Sequence, residues 1–274
     1  MEFLIEEKTL DLSIKEAMNI LESASALLEI DIMESFSNDD IILEASFQEF
    51  KRKAIDVFEK AYIAIKKFFK DLMVKIDTQI QKISLNKKLE ELKDIMAKKR
   101  AKALGQKIAY FDIKRYKSFY TEFINRYTTE LKKGLNHEFK DVKEYEKWRT
   151  DMLNKLNDFN FKLSDEEQWK LSISINSAVK LSETEARNRE HNLKMIEESG
   201  TSAIRALESK YKKIDTENSF VNYDGKHLNF IKLQNSFIAT ICSRLVGLVK
   251  KVAKFVAKHT VLAIVSIIAI LIAL

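Results

Sequence analysis

The sequence contains no proline, only five glycines and a single cysteine in 274 residues. An average chain of this length would carry about fourteen prolines and about nineteen glycines. Because turns between strands depend on these two residues, their scarcity argues against a protein built from sheets. The abundant Leu, Ile, Ala, Lys and Glu residues favour helices instead. We therefore predict an all-α fold, an elongated bundle of long amphipathic helices joined by short polar loops.

Other absences in the sequence limit the classes of function that we expect. With Cys242 alone, no disulfide can form within the chain. The glycines are isolated, so there is no glycine-rich loop to hold a phosphate, and the four histidines have no partner at metal-ligand spacing. The N-terminal stretch MEFLIEEKTLDL lacks the basic start and apolar run of a secretory signal. We expect a non-enzymatic protein without a cofactor, synthesised in the cytoplasm without a signal peptide.

Charge is distributed unevenly along the chain. Residues 1–44 hold twelve acidic and two basic residues, a net charge of −10, whereas residues 45–120 carry +11. Residues 121–235 are neutral, and residues 236–274 carry +5. An acidic helix packed beside a basic one would explain such blocks, and so would a removable acidic segment. The chain therefore divides into an acidic segment (1–44), a basic-to-neutral helical body (45–235) and a C-terminal helix (236–274).

The apolar pattern predicts the helices of the body. From Phe47 to Ile83 apolar residues recur about every 3.6 residues, which is typical of one straight amphipathic helix, predicted within 39–84. Further helices are predicted over 89–104, over 108–131, and from a capping box at Ser164 through Trp169 and Ala178 toward Met195. Seven Tyr or Phe residues crowd the stretch 108–131. They could stack on nucleic-acid bases, but their helical spacing favours a place in the core.

The C-terminal segment is the most apolar part of the chain. From Val261 to Leu274 every residue except Ser266 is apolar. These residues would span about 21 Å as a helix, less than the roughly 30 Å hydrocarbon core of a bilayer. Extending the helix back to Val252 gives about 34 Å, with lysines that can reach toward headgroups.

Basic residues precede and enter this apolar run, a pattern typical of a helix attracted to anionic lipid. The predicted membrane-binding residues are Arg244, Lys250, Lys251, Lys254, Lys258, Val261, Leu262, Ile264, Val265, Ile267, Ile268, Ile270, Leu271, Ile272 and Leu274. Three interpretations are open: a tail anchor, a segment stored against the body and released into a bilayer, and a buried core helix. Apolar side chains on all sides of the helix argue against the last of these.

The acidic segment contains a recurring tripeptide, Ile or Leu followed by any residue and then Glu. It occurs at residues 4–6, 20–22, 27–29, 32–34 and 42–44. A small residue follows three of the copies, at the pairs Glu22 and Ser23, Glu34 and Ser35, and Glu44 and Ala45. This pattern resembles the cleavage signal of the prohead proteases of contractile-tailed bacteriophages, which cut after such a Glu. The bond between Glu44 and Ala45 is the best match.

The resemblance covers the first 46 residues and implies an internal head protein that is trimmed during maturation and can be ejected into the host with the DNA. Cutting after Glu44 would leave a body with a net charge of +16, which is suited to neutralising phosphates. We therefore expect a phage virion protein, located in the virion or the host membrane. Its expected partners are an anionic lipid bilayer, phage DNA, capsid or scaffold proteins and further copies of itself. The alternative is a tail-anchored or pore-forming α-helical membrane protein with no virion role.

Overall fold

A computed structural model of the protein describes residues 47–83, 85–135, 137, 139–213 and 226–274. Within these residues the predicted all-α fold is confirmed. The helices are α1 (Phe47–Ile83), α2 (Leu85–Lys98), α3 (Ala101–Leu104), α4 (Ile113–Gly134), α5 (Val142–Ser164), α6 (Ile175–Arg187), α7 (Arg189–Lys212) and α8 (Lys226–Ala273). The acidic segment 1–44 lies outside the described residues. So do all the candidate cleavage residues, Glu22, Ser23, Glu34, Ser35, Glu44 and Ala45.

Two short strands interrupt the helices where none was predicted. Strand β1 (Lys107–Phe111) pairs antiparallel with β2 (Lys170–Ser174), and a 3₁₀ helix (Glu166–Trp169) precedes β2. Strand β1 replaces the start of the helix predicted over 108–131, and β2 interrupts the helix predicted through Trp169. Ile108 lies opposite Ile173 in this pair, and such apolar cross-strand pairs stabilise a sheet.

The predicted capping box at Ser164 is wrong. Ser164 is the last residue of α5, and its hydroxyl donates to the carbonyl oxygen of Asn160 at 2.7 Å. Better placed side chains cap the helices that follow the strands. Asp112 accepts from the backbone N–H of Arg115 at 2.9 Å and starts α4, and Ser174 accepts from that of Ser177 at 3.2 Å and starts α6. The helices after the strands therefore begin where Asp112 and Ser174 cap them, at positions other than the predicted ones, and the fold class is unchanged.

The predicted straight helix after residue 39 is found as α1, and its apolar stripe lies in the core. The buried residues are Ala54, Phe58, Ala61, Ile65, Phe68, Phe69, Leu72 and Ile76. The aromatic residues of α4 are core residues too, as the helical spacing predicted. Tyr116, Tyr120 and Tyr127 are buried, and Tyr116 meets Trp169 edge-on with ring centroids 5.3 Å apart. Burial raises the pKa of these three phenols above its ordinary value.

Two apolar clusters form the core, and α8 contributes to both. The main core contains side chains of α1, α4, α5 and α7 together with α8 from Phe237 to Ala257. The second cluster contains side chains of α2, β1 and α6 together with α8 from Ile264 to Leu271. The C-terminal helix therefore runs through the whole described body, and its two halves have different neighbours.

Candidate membrane-binding helix

Helix α8 is the longest helix of the described chain, with 48 residues. Its stretch Gln234–Ala273 is long and apolar enough to cross a membrane, by length and composition. Forty helical residues span about 60 Å, roughly twice the hydrocarbon thickness of a bilayer. Only part of α8 is therefore needed to cross one.

One face of α8 is buried along both halves. In the first half the fully buried side chains include Val249, Val252 and Val256, which contact the main core. In the second half, the residues predicted to bind membrane are divided between the two faces. Ile264, Val265, Ile267, Ile268 and Leu271 are buried, Val261, Leu262 and Ile270 are partly buried, and Ile272 and Leu274 are exposed.

The opposite face of α8 forms a stripe that the described body leaves partly or fully open. We call it the outer stripe, and its members follow one another at intervals of three or four residues, which places them on one side of a helix. It consists of Arg244, Gly247, Lys251, Lys254, Lys258, Leu262, Ser266, Ala269 and Ala273. The stripe is cationic in the first half and almost entirely apolar in the second. The described helices and strands therefore do not wrap α8 on every side.

Polar groups of the last turns of α5 and of the 3₁₀ helix that follows it contact three of the four cations of the outer stripe. We call this set the polar brace (Asn157, Asn160, Ser164 and Glu166). Arg244 donates to Asn157 Oδ1 at 3.0 Å. Lys251 donates to the carbonyl oxygen of Asn160 at 3.2 Å and to the hydroxyl oxygen of Ser164. The Nζ of Lys258 lies 3.5 Å from Glu166 Oε1. These three cations are spaced seven residues apart, which is about two helical turns, so they lie on the same side of α8 and face the polar brace.

The remaining two predicted cations differ from one another. Lys250 turns into the body, where it is 4% exposed and its Nζ lies 5.5 Å from the ring centroid of Phe68. Lys254 lies on the outer stripe and is partly exposed. The five basic residues predicted to face lipid headgroups therefore point in at least two directions. That they bind lipid stays a prediction.

A close helix contact fixes α8 against α7. A Cβ atom added to Gly200 of α7 would lie 2.5 Å from Val249 Cγ2, far closer than real side chains approach. The glycine therefore allows the two helices to pack more tightly than any other residue would. Gly247, on the outer stripe, offers a contrast, since a Cβ added there would meet no described atom within 4 Å.

Sequence reasoning missed a second basic surface, at the apolar end of α8. We call it the basic collar, and it consists of Lys98, Lys99, Arg100, Lys102 and Lys107. Apolar residues within and beside this run, including Met96 and Leu104, pack on the second core cluster with the end of α8. The sequence carries a signal for the collar, because no acidic residue occurs between Asp94 and Asp112.

A partly buried polar network joins α4, α6 and α7 elsewhere in the body. Lys117 donates to Asn192 Oδ1, and the Asn192 side-chain amide donates to Glu185 Oε2 at 2.6 Å. Loss of solvation raises the pKa of the Glu185 carboxyl and lowers the pKa of the Lys117 ammonium. Each group is hydrogen-bonded within the network, so we assign it a structural role in fastening three helices.

The described residues contain no group of three or more His, Cys, Asp or Glu side chains placed to hold a metal ion. The features that stand out are instead a half-covered apolar helix, a polar brace on its cations and a basic collar at its apolar end. Comparisons with protein-family models, with curated proteins and with solved structures find no match to this chain.

Proposed function

We propose that this protein acts on membranes and carries α8 folded against its body until the helix transfers into a bilayer. The observation that carries the proposal is the outer stripe in the second half of α8. Leu262 and Ala269 lie there, and the described body leaves them partly open to water. The outer face of an ordinary surface helix is charged or polar. An apolar outer face is favourable only when it can leave water, and lipid provides that environment.

On transfer, the contacts that α8 makes with the body are replaced by contacts of the same chemical kind with lipid. Acyl chains would replace the apolar side chains that now cover Ile264, Ile267 and Leu271. Lipid phosphates would replace the polar brace as partners of Arg244 and Lys251. As a helix, residues 252–274 would span about 34 Å, which is enough to cross the hydrocarbon core. The lysines before and within that span would lie toward one interface.

We further infer that the protein belongs to a bacteriophage particle and is packaged in the head. The resemblance of residues 42–46 to a prohead-protease signal supports this setting. Helix α1 begins at Phe47, so a cut after Glu44 falls before the first described helix and leaves every described helix intact. The remaining chain carries +16, which favours packing beside DNA. A tail-anchored or pore-forming protein without a virion role is the alternative.

The membrane proposal is tested with two lysines on the outer stripe. Ser266 is exposed and Ala269 is partly exposed, so the variant Ser266→Lys with Ala269→Lys keeps the folded body. Inside a bilayer each lysine costs about 3 kcal/mol at the helix centre. We expect the wild-type chain to float with liposomes and the variant to bind at least about a hundredfold more weakly.

The matched control places lysines on exposed apolar positions of α1, with Ile63→Lys and Val74→Lys. These side chains are 54% and 62% exposed, so the control changes surface charge equally without touching α8. It should float as the wild type does. Equal flotation of the wild type and the α8 variant would show that α8 does not enter lipid, and would reject the proposal.

The virion setting is tested by intact-mass measurement of the protein purified from its natural particle or cell. A mature chain that starts at Ala45 supports processing, and starts at Ser35 or Ser23 support the weaker signals. An intact chain starting at Met1 removes the support that the cleavage signal gives to the virion setting. The membrane proposal would stand unchanged in that case.

A further inference from the structure

The basic collar lies at the end of the body where α8 is most apolar. Met96 and Leu104 pack on the second core cluster, which also holds Ile264 to Leu271 of α8. Lys98 and Lys99 follow Met96, and Lys102 and Lys107 flank Leu104. The covalent chain therefore keeps these cations within a few residues of side chains that pack on the cluster shared with α8.

The charge of the collar is not neutralised by the described body. None of its five cations forms an ion pair with a residue in the described ranges, and all except the partly exposed Lys99 are exposed. The cations of the outer stripe differ, since Arg244 and Lys251 are held by the polar brace. Within the described ranges, the collar is therefore the basic set whose positive charge has no anionic partner, and such a set attracts anions.

Exposed apolar residues follow the part of α8 that lies in the second cluster. The side chains of Ile272 and Leu274, at the end of α8, are 37% and 47% exposed. Met96 and Leu104 pack on the cluster that holds Ile264 to Leu271. Basic residues combined with exposed apolar side chains are suited to an anionic bilayer surface, where the charges meet headgroups and the apolar groups enter the interface.

We propose that the basic collar is the docking surface for anionic phospholipid headgroups, and that it delivers the apolar end of α8 to the bilayer. The inference rests on the proposed membrane function and names the lipid class and the contact that precedes insertion. Nucleic acid would also be attracted by five cations. The exposed Ile272 and Leu274, which follow the stretch of α8 in the second cluster, favour lipid, because exposed aliphatic side chains gain little from a phosphate backbone. Stacking on bases would require exposed aromatic rings, and the ring of Tyr110 beside the collar is buried.

The test compares two full-length variants of equal charge. The collar variant carries Lys98→Gln, Lys99→Gln, Arg100→Gln and Lys102→Gln. The control carries Lys132→Gln, Lys133→Gln, Lys143→Gln and Lys147→Gln, at the end of α4 and the start of α5. That region contacts Phe237 through Trp148, thirty-one residues along α8 from Ile268. At 1.5 Å per residue, Phe237 lies about 46 Å along the helix from Ile268, a member of the second cluster on which Met96 and Leu104 pack.

Binding is measured on vesicles of phosphatidylcholine and phosphatidylglycerol in equal amounts, and on vesicles of phosphatidylcholine alone. At low salt we expect the collar variant to bind the mixed vesicles at least about tenfold more weakly than the wild type, and the control less than about threefold more weakly. At high salt the difference should nearly disappear, because the headgroup attraction is screened. Thermal unfolding of both variants checks that the body is intact.

Several results would overturn the inference. Equal weakening by both variants would show that only net charge matters, and no weakening by the collar variant would show that the collar does not dock. Weaker binding of the collar variant to a duplex DNA oligonucleotide, with unchanged vesicle binding, would assign the surface to nucleic acid. Failure of the wild type to bind any vesicle would reject the membrane function as well, whereas failure of the collar effect alone leaves that function in place.

Discussion

The two halves of α8 are held against the body by different forces. The first half packs against the long helices α1 and α7, and Arg244 and Lys251 on its outer stripe are paired with the polar brace. The second half is covered by shorter elements, α2, β1 and α6, and its outer stripe is apolar. A half with polar partners outside and apolar partners inside is satisfied in water without lipid. A half that is apolar on both sides suits water only while one side is covered, and suits lipid on every side.

This difference predicts an order of events. Fewer and shorter elements cover the second half, so less buried apolar area must be exposed to detach it. We expect residues 261–273 to open before residues 241–257, as a unit of lower local stability. The predictions below test whether the two halves are energetically separate.

The largest effect is expected from Ile268→Ala. The side chain is fully buried in the second cluster, and removing such a side chain typically costs about 3 kcal/mol. Hydrogen exchange should rise in residues 261–273 while residues 241–257 stay protected. Leu262→Ala on the outer stripe is the control and should change exchange little. Equal loss of protection in both halves would contradict the separation.

Two glycine substitutions are expected to change the free energy of unfolding by smaller amounts, and the two changes have opposite signs. Gly200→Ala introduces a Cβ atom 2.5 Å from Val249 Cγ2 and should lower the free energy of unfolding by about 1–3 kcal/mol. Gly247→Ala on the outer stripe meets nothing and should raise it by up to about 1 kcal/mol, because alanine is the better helix former. Thermal unfolding measures both. A fall in stability at Gly247 as large as at Gly200 would mean that the outer stripe is covered in the full chain.

The smallest effect is expected from the polar brace. Ser164→Ala removes one acceptor of Lys251 and should cost about 0.5–1 kcal/mol, since this contact is exposed. Lys251 then keeps only the carbonyl oxygen of Asn160 and exchanges it more readily for a lipid phosphate, so binding to anionic vesicles should strengthen slightly at low salt. Ser199→Ala is the matched control, because the Ser199 hydroxyl bonds only within its own helix, to the carbonyl oxygen of Met195. Weaker vesicle binding by Ser164→Ala would show that the brace assists insertion and does not restrain it.

The sequence predicted those features that depend on periodicity. The stripe from Ala54 to Ile76 and the spacing of Tyr116, Tyr120 and Tyr127 predicted core faces, and burial confirms both. A helix places residues three or four apart on one side whatever surrounds it. Such patterns are therefore readable without knowledge of the neighbouring elements.

Features that depend on competition between partners were not predictable in the same way. The hydroxyl of Ser164 could cap a following helix or bond within its own, and it bonds the carbonyl oxygen of Asn160, while the carboxylate of Asp165 caps the 3₁₀ helix by accepting from the backbone N–H of Glu167. A lysine such as Lys251 is satisfied equally by a lipid phosphate and by the carbonyl oxygen of Asn160. The basic collar was not predictable either, because the place of Leu104 on the second cluster depends on residues distant in the sequence.

The central claim is that the side of α8 now facing the body comes to face lipid, and it can be measured on the unmodified protein. Vesicles carrying a phospholipid with a photoactivatable diazirine in its acyl chain are mixed with the protein and irradiated, and the adducts are mapped by mass spectrometry. We predict adducts on Ile264, Ile267, Ile268 and Leu271, which the folded body buries. Adducts confined to the outer stripe, with none on these four residues, would show that α8 stays in its groove and would contradict the account.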